Sequence, residues 1–262
     1  MTEEQKSLNW LSSILDILLS ECPWDSVQTI DSLRYLTIEE VYELSESIIA
    51  GNREEMRKEM GDLFMHLLFY AKLAEKEGAF TAADVLDGIS QKLIRRHPHI
   101  ALPDREGQLQ KPSRSDKPRW EEVKMGEGRR SALEGVPESL PPLVKAVRMQ
   151  EKASGMGFDF ADSGAAHDKF KEEYGEFCQA LEAGEREHAE EELGDMLFAL
   201  VKWAASEGIN ADDALSRANR KFQRRFTSVE RQAQKLGKHL AEMDREEMLQ
   251  LWEKAKQEER IR

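Results

Sequence analysis

The stretch EEVYE at residues 39–43 decides the fold, because it recurs later in the chain with the same surroundings. It is followed, sixteen positions after its last glutamate, by EMGD at 59–62. The second copy reads EEYGE at 172–176 and, again sixteen positions on, ELGD at 192–195. Each copy runs into apolar residues at helical spacing. These two stretches therefore predict two related pairs of helices.

Two further blocks support an internal duplication. KLIRR at 92–96 matches KFQRR at 221–225, and WEEVK at 120–124 matches WEKAK at 252–256, in the same order as the first blocks. All eight prolines lie at or before Pro142, and long proline-free segments rich in Ala, Leu, Glu and Lys favour helices. The sequence therefore predicts an all-α protein of two tandem helical-bundle repeats.

Proline and glycine divide the chain. We predict an N-terminal repeat at 1–130 with a mobile polar loop at about 98–118, a linker at 131–142, and a C-terminal repeat at 143–262. We expect the C-terminal repeat to be the main catalytic half.

Composition narrows the class of protein. The formal net charge is −13, which is unsuited to general binding of nucleic acid or an anionic membrane. Two cysteines exclude a disulfide framework, and the longest apolar runs are too short to span a bilayer. We therefore expect a cytoplasmic protein with no nucleic-acid or membrane partner.

The repeated motifs predict a metal site in each half. Residues three apart share a helix face, so antiparallel helices would bring four carboxylates together. Such a cluster repels itself unless a cation binds, and oxygen ligands suit Mg²⁺, with Mn²⁺ as a substitute. The alternative to a metal site is that these carboxylates form only a solvated acidic face of the helices. The predicted ligands are Glu40, Glu43, Glu59 and Asp62 in the first half, and Glu173, Glu176, Glu192 and Asp195 in the second.

Basic and aromatic residues at helical spacing suit a phosphate ligand. Lys221 and Arg225 are four apart and face one way, as do Lys92 and Arg96. Trp252 could stack on a nucleobase while Lys256 reaches phosphate, and Trp120 and Lys124 are their counterparts in the first half. The alternative to a phosphate site is that the basic residues pair with surface acids and that the tryptophans pack in the core.

Taken together, the motifs resemble the MazG nucleoside triphosphate pyrophosphohydrolases in their two-domain bacterial form. The resemblance covers nearly the whole chain and includes CPWD at 22–25, GFDF at 157–160, both carboxylate motifs, RRHPH at 95–99, KFQRRF at 221–226 and Trp252. It implies a Mg²⁺-dependent site, a homodimer, hydrolysis of nucleoside triphosphates to monophosphate and pyrophosphate with broad base tolerance, and a housecleaning role.

The resemblance also implies a nucleotide site in the second half. It places contacts at Lys169, His188, Glu191, Asn219, Lys221, Arg224, Arg225, Trp252 and Lys256. Water would attack the α-phosphorus, with lysine and arginine stabilising the leaving group. We expect Glu172, Lys221 and Arg225 to be catalytic, with Glu172 orienting or deprotonating the water.

The two halves differ where a phosphate would bind. Leu36 occupies the position of Lys169, and Glu55 that of His188, so the second half is the better active site. Two other classes stay open from the residues: a non-catalytic nucleotide sensor or partner-binding dimer, and a narrower enzyme of the dUTPase-like or phosphoribosyl-ATP-cleaving type.

Overall fold

The computed structural model describes residues 1–113, 123 and 125–260. Within those ranges the regular structure is helical and there is no strand, only an isolated bridge between Pro103 and Leu109. This confirms the all-α prediction. The chain forms two compact units, Met1–Pro118 and Arg119–Arg262. None of the helices in the described part is long and apolar enough to cross a membrane.

Unit 1 contains four α-helices in its described residues. They are α1 (Glu3–Glu21), α2 (Ile30–Ala50), α3 (Arg53–Lys76) and α4 (Ala82–Arg96), with a short 3₁₀ turn at Asp25–Val27. Leu15 and Leu19 of α1, Leu33 of α2 and Phe69 of α3 form the buried core. These residues recur at helical spacing, so each helix presents an apolar stripe to the others.

The α2–α3 hairpin is fixed by local capping. Thr29 caps the start of α2 by accepting a hydrogen bond from the backbone N–H of Ser32 at 3.1 Å. Gly51 ends α2 in the left-handed region at φ 70°, where a side chain would be strained, and Asn52 then caps α3. This two-residue turn makes the helices antiparallel and sets Glu40 against the first half of α3.

Unit 2 contains five α-helices in its described residues. They are α5 (Pro142–Gly155), α6 (Ser163–Ala183), α7 (Arg186–Ser206), α8 (Ala211–Lys235) and α9 (Arg245–Arg260), with a 3₁₀ turn at Leu240–Glu242. Val229 and Ala233 of α8 pack against Leu251 and Ala255 of α9 to form a core.

The α6–α7 hairpin repeats the geometry of α2–α3. Asp162 caps α6 by accepting from the N–H of Ala165 at 2.9 Å, and Gly184 ends it at φ 75°. Both α2 and α6 are 21 residues long, and both precede a two-residue turn. Helix α5 is joined to α7 by Gln150, whose side-chain Nε2 donates to the carbonyl of Phe198 at 2.7 Å.

The predicted loop and linker carry local hydrogen bonds. In the described part of the loop, the N–H of Gln110 donates to the carbonyl of Leu102 at 2.9 Å, and the N–H of Ser113 donates to that of Pro98 at 2.8 Å. In the linker, the buried Lys152 of α5 donates to the carbonyl of Ala132 at 3.0 Å. The mobility of 98–118 and the division at 1–130, 131–142 and 143–262 stay predictions.

Candidate functional site

Five carboxylates meet on the α6–α7 hairpin of unit 2, in two overlapping groups of three. Glu173 of α6 and Glu192 and Asp195 of α7 each offer an oxygen, and these oxygens lie within 4.8 Å of one another. Glu173 also belongs to a second such group on α6, with Glu172 and Glu176. Glu173 is buried, with 7% of its surface exposed, and so lies at the centre of both groups.

Two basic side chains border this cluster. Lys169 Nζ donates to Glu172 Oε1 and lies 2.7 Å from Glu173 Oε1, so one ammonium bridges two carboxylates. These bonds raise the pKa of Lys169, which keeps the side chain charged. His188 Nε2 lies 2.9 Å from Glu192 Oε1. The site therefore combines concentrated negative charge with the charged Lys169 and with His188 at its edge.

The electrostatics of the cluster fit a cation. Burial, followed by the charges of Glu176 and Glu173, raises the pKa of Glu192, and His188 partly opposes this. Glu192 Oε2 is buried and has no hydrogen-bond partner among the described residues. A buried carboxylate oxygen without a donor is costly, and a bound cation removes that cost. Oxygen donors of this kind suit a hard divalent metal ion.

Unit 1 holds a corresponding cluster. Three carboxylate oxygens lie within 4.8 Å of one another, one each from Glu40, Glu59 and Asp62. Glu43 is the exposed fourth member and lies within hydrogen-bond reach of Glu59. Burial and then neighbouring carboxylates raise the pKa values of Glu40, Glu43 and Glu59. The predicted quartet thus comes together here as well.

The residues around the unit 1 cluster differ from those around the unit 2 cluster. Leu36, at the position of Lys169, packs against the core of unit 1. Glu55, at the position of His188, pairs with Lys58 at 2.8 Å. The buried His66 lies one turn beyond Asp62, and burial lowers its pKa. This cluster therefore lacks the two basic neighbours that the unit 2 cluster has.

The remaining predicted nucleotide contacts of unit 2 form a separate group on α8 and α9. Arg224 and Arg225 both donate to Glu259, with their closest contacts at 2.6 Å. The ring of Trp252 lies 5.5 Å from that of Phe222 and packs on the α8–α9 core. In the described part of the chain, no hydrogen bond or ion pair joins these residues to the carboxylate cluster.

The other predicted residues differ in their burial, and two of them lie outside the described ranges. Lys92, Glu191, Asn219 and Lys221 are exposed, Arg96 is buried, and Lys256 pairs with Glu253. Trp120 and Lys124 lie outside the described residues. The roles assigned to all these side chains stay predictions.

Sequence reasoning missed three side chains of unit 2, two beside the carboxylate cluster and one on α9. Gln150 is buried between α5 and α7, and Lys202 pairs with Asp159 at 2.5 Å. Glu259 lies more than thirty residues from the two arginines that it binds. The positions of Gln150 and Lys202 in the sequence did not indicate that they lie near each other, because only the packing of α5 on α7 brings them together.

Comparison with known proteins agrees with this geometry. The sequence profile described as the MazG nucleotide pyrophosphohydrolase domain matches residues 28–101 and 165–229, which include both carboxylate clusters. A nucleoside triphosphate pyrophosphohydrolase of Escherichia coli (strain K12) is 38% identical over 244 residues, covering 91% of each chain. A nucleoside triphosphate pyrophosphohydrolase/pyrophosphatase MazG of Thermotoga maritima is 38% identical over 251 residues, covering 94% of each.

Proposed function

Because the chain belongs to the MazG nucleotide pyrophosphohydrolase family and is a nucleoside triphosphate pyrophosphohydrolase, we propose that its reaction takes place at the carboxylate cluster of unit 2. The products would be a nucleoside monophosphate and pyrophosphate. One observation carries the choice of site: Glu173 is shared by two carboxylate groups and is bridged to Glu172 by Lys169.

Glu173, Glu176, Glu192 and Asp195 would hold Mg²⁺, or Mn²⁺ in its place. The unpartnered Glu192 Oε2 and the raised pKa of Glu192 support this. When bound, a divalent cation supplies Lewis acidity toward the triphosphate and the attacking water. In unit 1, Glu40, Glu43, Glu59 and Asp62 would hold a second cation, at a site that is secondary in hydrolysis.

The chain's own groups suit attack by water at the α-phosphorus. Lys169 occupies Glu172 Oε1, which leaves Oε2 of Glu172 to orient a water and accept its proton. The new bond joins the water oxygen to the α-phosphorus, and the bond from that phosphorus to the bridging oxygen breaks, which releases pyrophosphate. Lys169 stays charged, and together with His188 it would stabilise the negative charge of the phosphates.

The basic residues of α8 and α9 are proposed to bind the triphosphate. Arg224 and Arg225 hold Glu259 in the structure, and a phosphate would compete with that carboxylate for the same guanidinium donors. Lys221 is exposed one turn before Arg225. We propose that these residues, with Asn219, Glu191, Trp252 and Lys256, complete the nucleotide site.

We also propose a homodimer in the cytoplasm with broad base tolerance and a role in nucleotide-pool housecleaning. Exposed large apolar side chains support the dimer, because each unit presents several to solvent. Trp10 is 71% exposed and Leu67 62% in unit 1, and Phe222 is 58% exposed in unit 2. Light scattering with size-exclusion chromatography tests the dimer, and a monomer at micromolar concentration would contradict it.

A nucleotide panel tests the reaction. The purified chain would be incubated with each common ribo- and deoxyribonucleoside triphosphate, with Mg²⁺ or with EDTA, and the products separated. Monophosphate plus pyrophosphate from several bases, only with the metal, is the expected result. Diphosphate plus phosphate would contradict the reaction, cleavage of one nucleotide alone would favour the narrower enzyme, and binding without turnover would favour a sensor.

A further inference from the structure

One carboxylate at the end of α9 takes up hydrogen-bond donors of two arginines on α8. Glu259 Oε1 accepts from Arg224 Nη2 at 2.6 Å and from Arg224 Nε at 3.1 Å. Glu259 Oε2 accepts from Arg225 Nε at 2.6 Å. Both oxygens of the carboxylate are used, and a phosphate group binds guanidinium donors in the same way. Glu259 therefore occupies the place on α8 that the triphosphate is proposed to take.

The ion pair with Glu259 persists at neutral pH. Hydrogen bonds from Arg224 and then from Arg225 hold the pKa of Glu259 below its usual range, so the carboxylate stays ionised. The side chains of Glu259 and Arg225 are 27% and 21% exposed, whereas that of Arg224 is 62% exposed and is open to a ligand. Near neutral pH, a competing anion rather than a proton must therefore release the carboxylate.

The last turn of α9 can leave α8 without disrupting the core. Ala255, one turn before Glu259, is the last residue of α9 in the apolar α8–α9 core. Beyond it, Glu258 accepts from Ser228 Oγ at 3.0 Å, and Glu259 binds the two arginines. The ends of helices open locally at little cost in free energy. Glu259 can therefore move away while Leu251 and Ala255 stay packed on α8.

We propose that Glu259 is an affinity-determining residue of the phosphate site, an internal competitor that phosphates must displace from Arg224 and Arg225. Glu259 returns to these arginines when pyrophosphate leaves. The inference rests on the proposed function, because it requires that the arginines of α8 bind the phosphates of the nucleotide. No covalent bond changes in this exchange, in which one anion replaces another on the same donors.

The competition should weaken the binding of substrate and of pyrophosphate by one common factor. Because Glu259 is attached to α9, it competes at a constant effective concentration. If the arginines are free for about a tenth of the time, the observed Kd is about tenfold above its intrinsic value. A tenfold change in Kd is about 1.4 kcal/mol, more than an exposed ion pair contributes, but this network is bidentate and largely covered.

Glu259→Gln tests the competition, because glutamine keeps the size of the side chain and removes its charge. The Kd values of α,β-methylene ATP and of inorganic pyrophosphate would be measured by calorimetry at pH 7.5 with Mg²⁺. We expect both Kd values to fall by about tenfold in the variant. The inhibition constant of pyrophosphate against ATP hydrolysis should fall by a similar factor. Unchanged or higher Kd values would overturn the inference, since Glu259 would then only hold the arginines in place.

Glu258→Gln is the matched control. It removes the same charge one residue earlier, from an exposed carboxylate that binds Ser228 rather than the arginines. Its Kd values should stay within about twofold of the wild type. Equal tightening in Glu258→Gln and Glu259→Gln would overturn the inference, because the effect would then come from the net charge of α9 and not from competition at the arginines.

Hydrogen exchange of the wild type tests the displacement without any variant, and so does not depend on how a variant folds. Binding of α,β-methylene ATP should free Glu259 and speed amide exchange in the last turn of α9, residues 257–260, by at least about threefold. In Glu259→Gln this turn should exchange faster before the nucleotide is added. Slower or unchanged exchange in the nucleotide-bound wild type would overturn the inference.

The outcomes also separate this inference from the proposed function. If the wild type binds no nucleotide and releases no pyrophosphate, the proposed function fails. If the wild type hydrolyses nucleoside triphosphates, but Glu259→Gln binds them no more tightly, the competition at Arg224 and Arg225 fails and the proposed function stands.

Discussion

Neutralising Glu173 in the unit 2 cluster should impair hydrolysis much more than the matched change in the unit 1 cluster. Glu173→Gln keeps the volume of the side chain and removes its charge. Glu173 is the buried centre of two carboxylate groups, so the variant loses the anionic oxygen that both groups share. A loss of 3 kcal/mol of transition-state stabilisation is about 150-fold in rate. We expect kcat/KM for nucleoside triphosphates to fall by at least about this factor.

The same change should affect folding much less. At an effective dielectric constant of about 20, two unit charges 4.8 Å apart repel by about 3.5 kcal/mol, which solvent screening reduces because Glu172 and Asp195 are exposed. The variant loses this repulsion, and it also loses the ion pair with Lys169. The two effects oppose each other, so the Tm of the metal-free protein should change by only a few degrees.

Glu40→Gln is the matched variant in unit 1. It removes the corresponding charge from a cluster whose neighbours are Leu36 and Glu55 in place of two basic residues. We expect less than about a tenfold loss of hydrolysis. Pyrophosphate release would be measured for both variants at saturating Mg²⁺, with circular dichroism as the folding control. Equal losses would refute the assignment of unit 2 as the main site, and a larger loss in Glu40→Gln would reverse it.

Three further predictions concern the surroundings of the clusters. Burial and like charges raise the pKa of Glu192, so its ionisation destabilises the metal-free fold above that pKa. Glu192→Gln should therefore raise Tm at pH 7.5, and the difference in Tm between the variant and the wild type should vanish toward pH 4.5. A constant difference in Tm across this pH range would contradict the prediction. His188→Ala should raise KM for nucleoside triphosphates about tenfold. Because the side chain is half exposed, the free energy of unfolding, measured in urea, should change by less than about 0.5 kcal/mol. An unaltered KM would show that His188 does not contact the nucleotide. Lys152→Met removes the buried ammonium that donates to the carbonyls of Ala132 and Glu134, and should lower the free energy of unfolding by about 1–3 kcal/mol. An unchanged urea midpoint would show that the contact is dispensable.

Much of the fold followed from local sequence rules. The two repeated motifs predicted helix pairs, and the structure forms α2–α3 and α6–α7 with glycine-ended turns at Gly51 and Gly184. Helical spacing also placed three members of each predicted quartet where the structure groups them, whereas Glu176 lies with Glu172 and Glu173 instead. These features depend on contacts between neighbouring turns of one helix or across a short hairpin, and the sequence carries that information directly.

The contacts between distant segments did not follow from the sequence. Spacing placed Arg225 on a phosphate-binding face, but nothing in it indicated the pairing with Glu259, which depends on how α9 packs on α8. The burial of Gln150 against Phe198 depends in the same way on the packing of α5 on α7. Side chains that meet only through tertiary packing leave no periodic signal, so their roles had to be read from the structure.

Hydrolysis in water enriched in ¹⁸O tests the central claim most directly, because it reports which phosphorus the water attacks. The products of ATP hydrolysis with Mg²⁺ would be separated and their masses measured, for the wild type and for Glu173→Gln. Attack at the α-phosphorus predicts one ¹⁸O in the monophosphate, none in the pyrophosphate, and loss of both products on chelation or in the variant. Label in pyrophosphate or in free phosphate, or full turnover by the variant, would contradict the account.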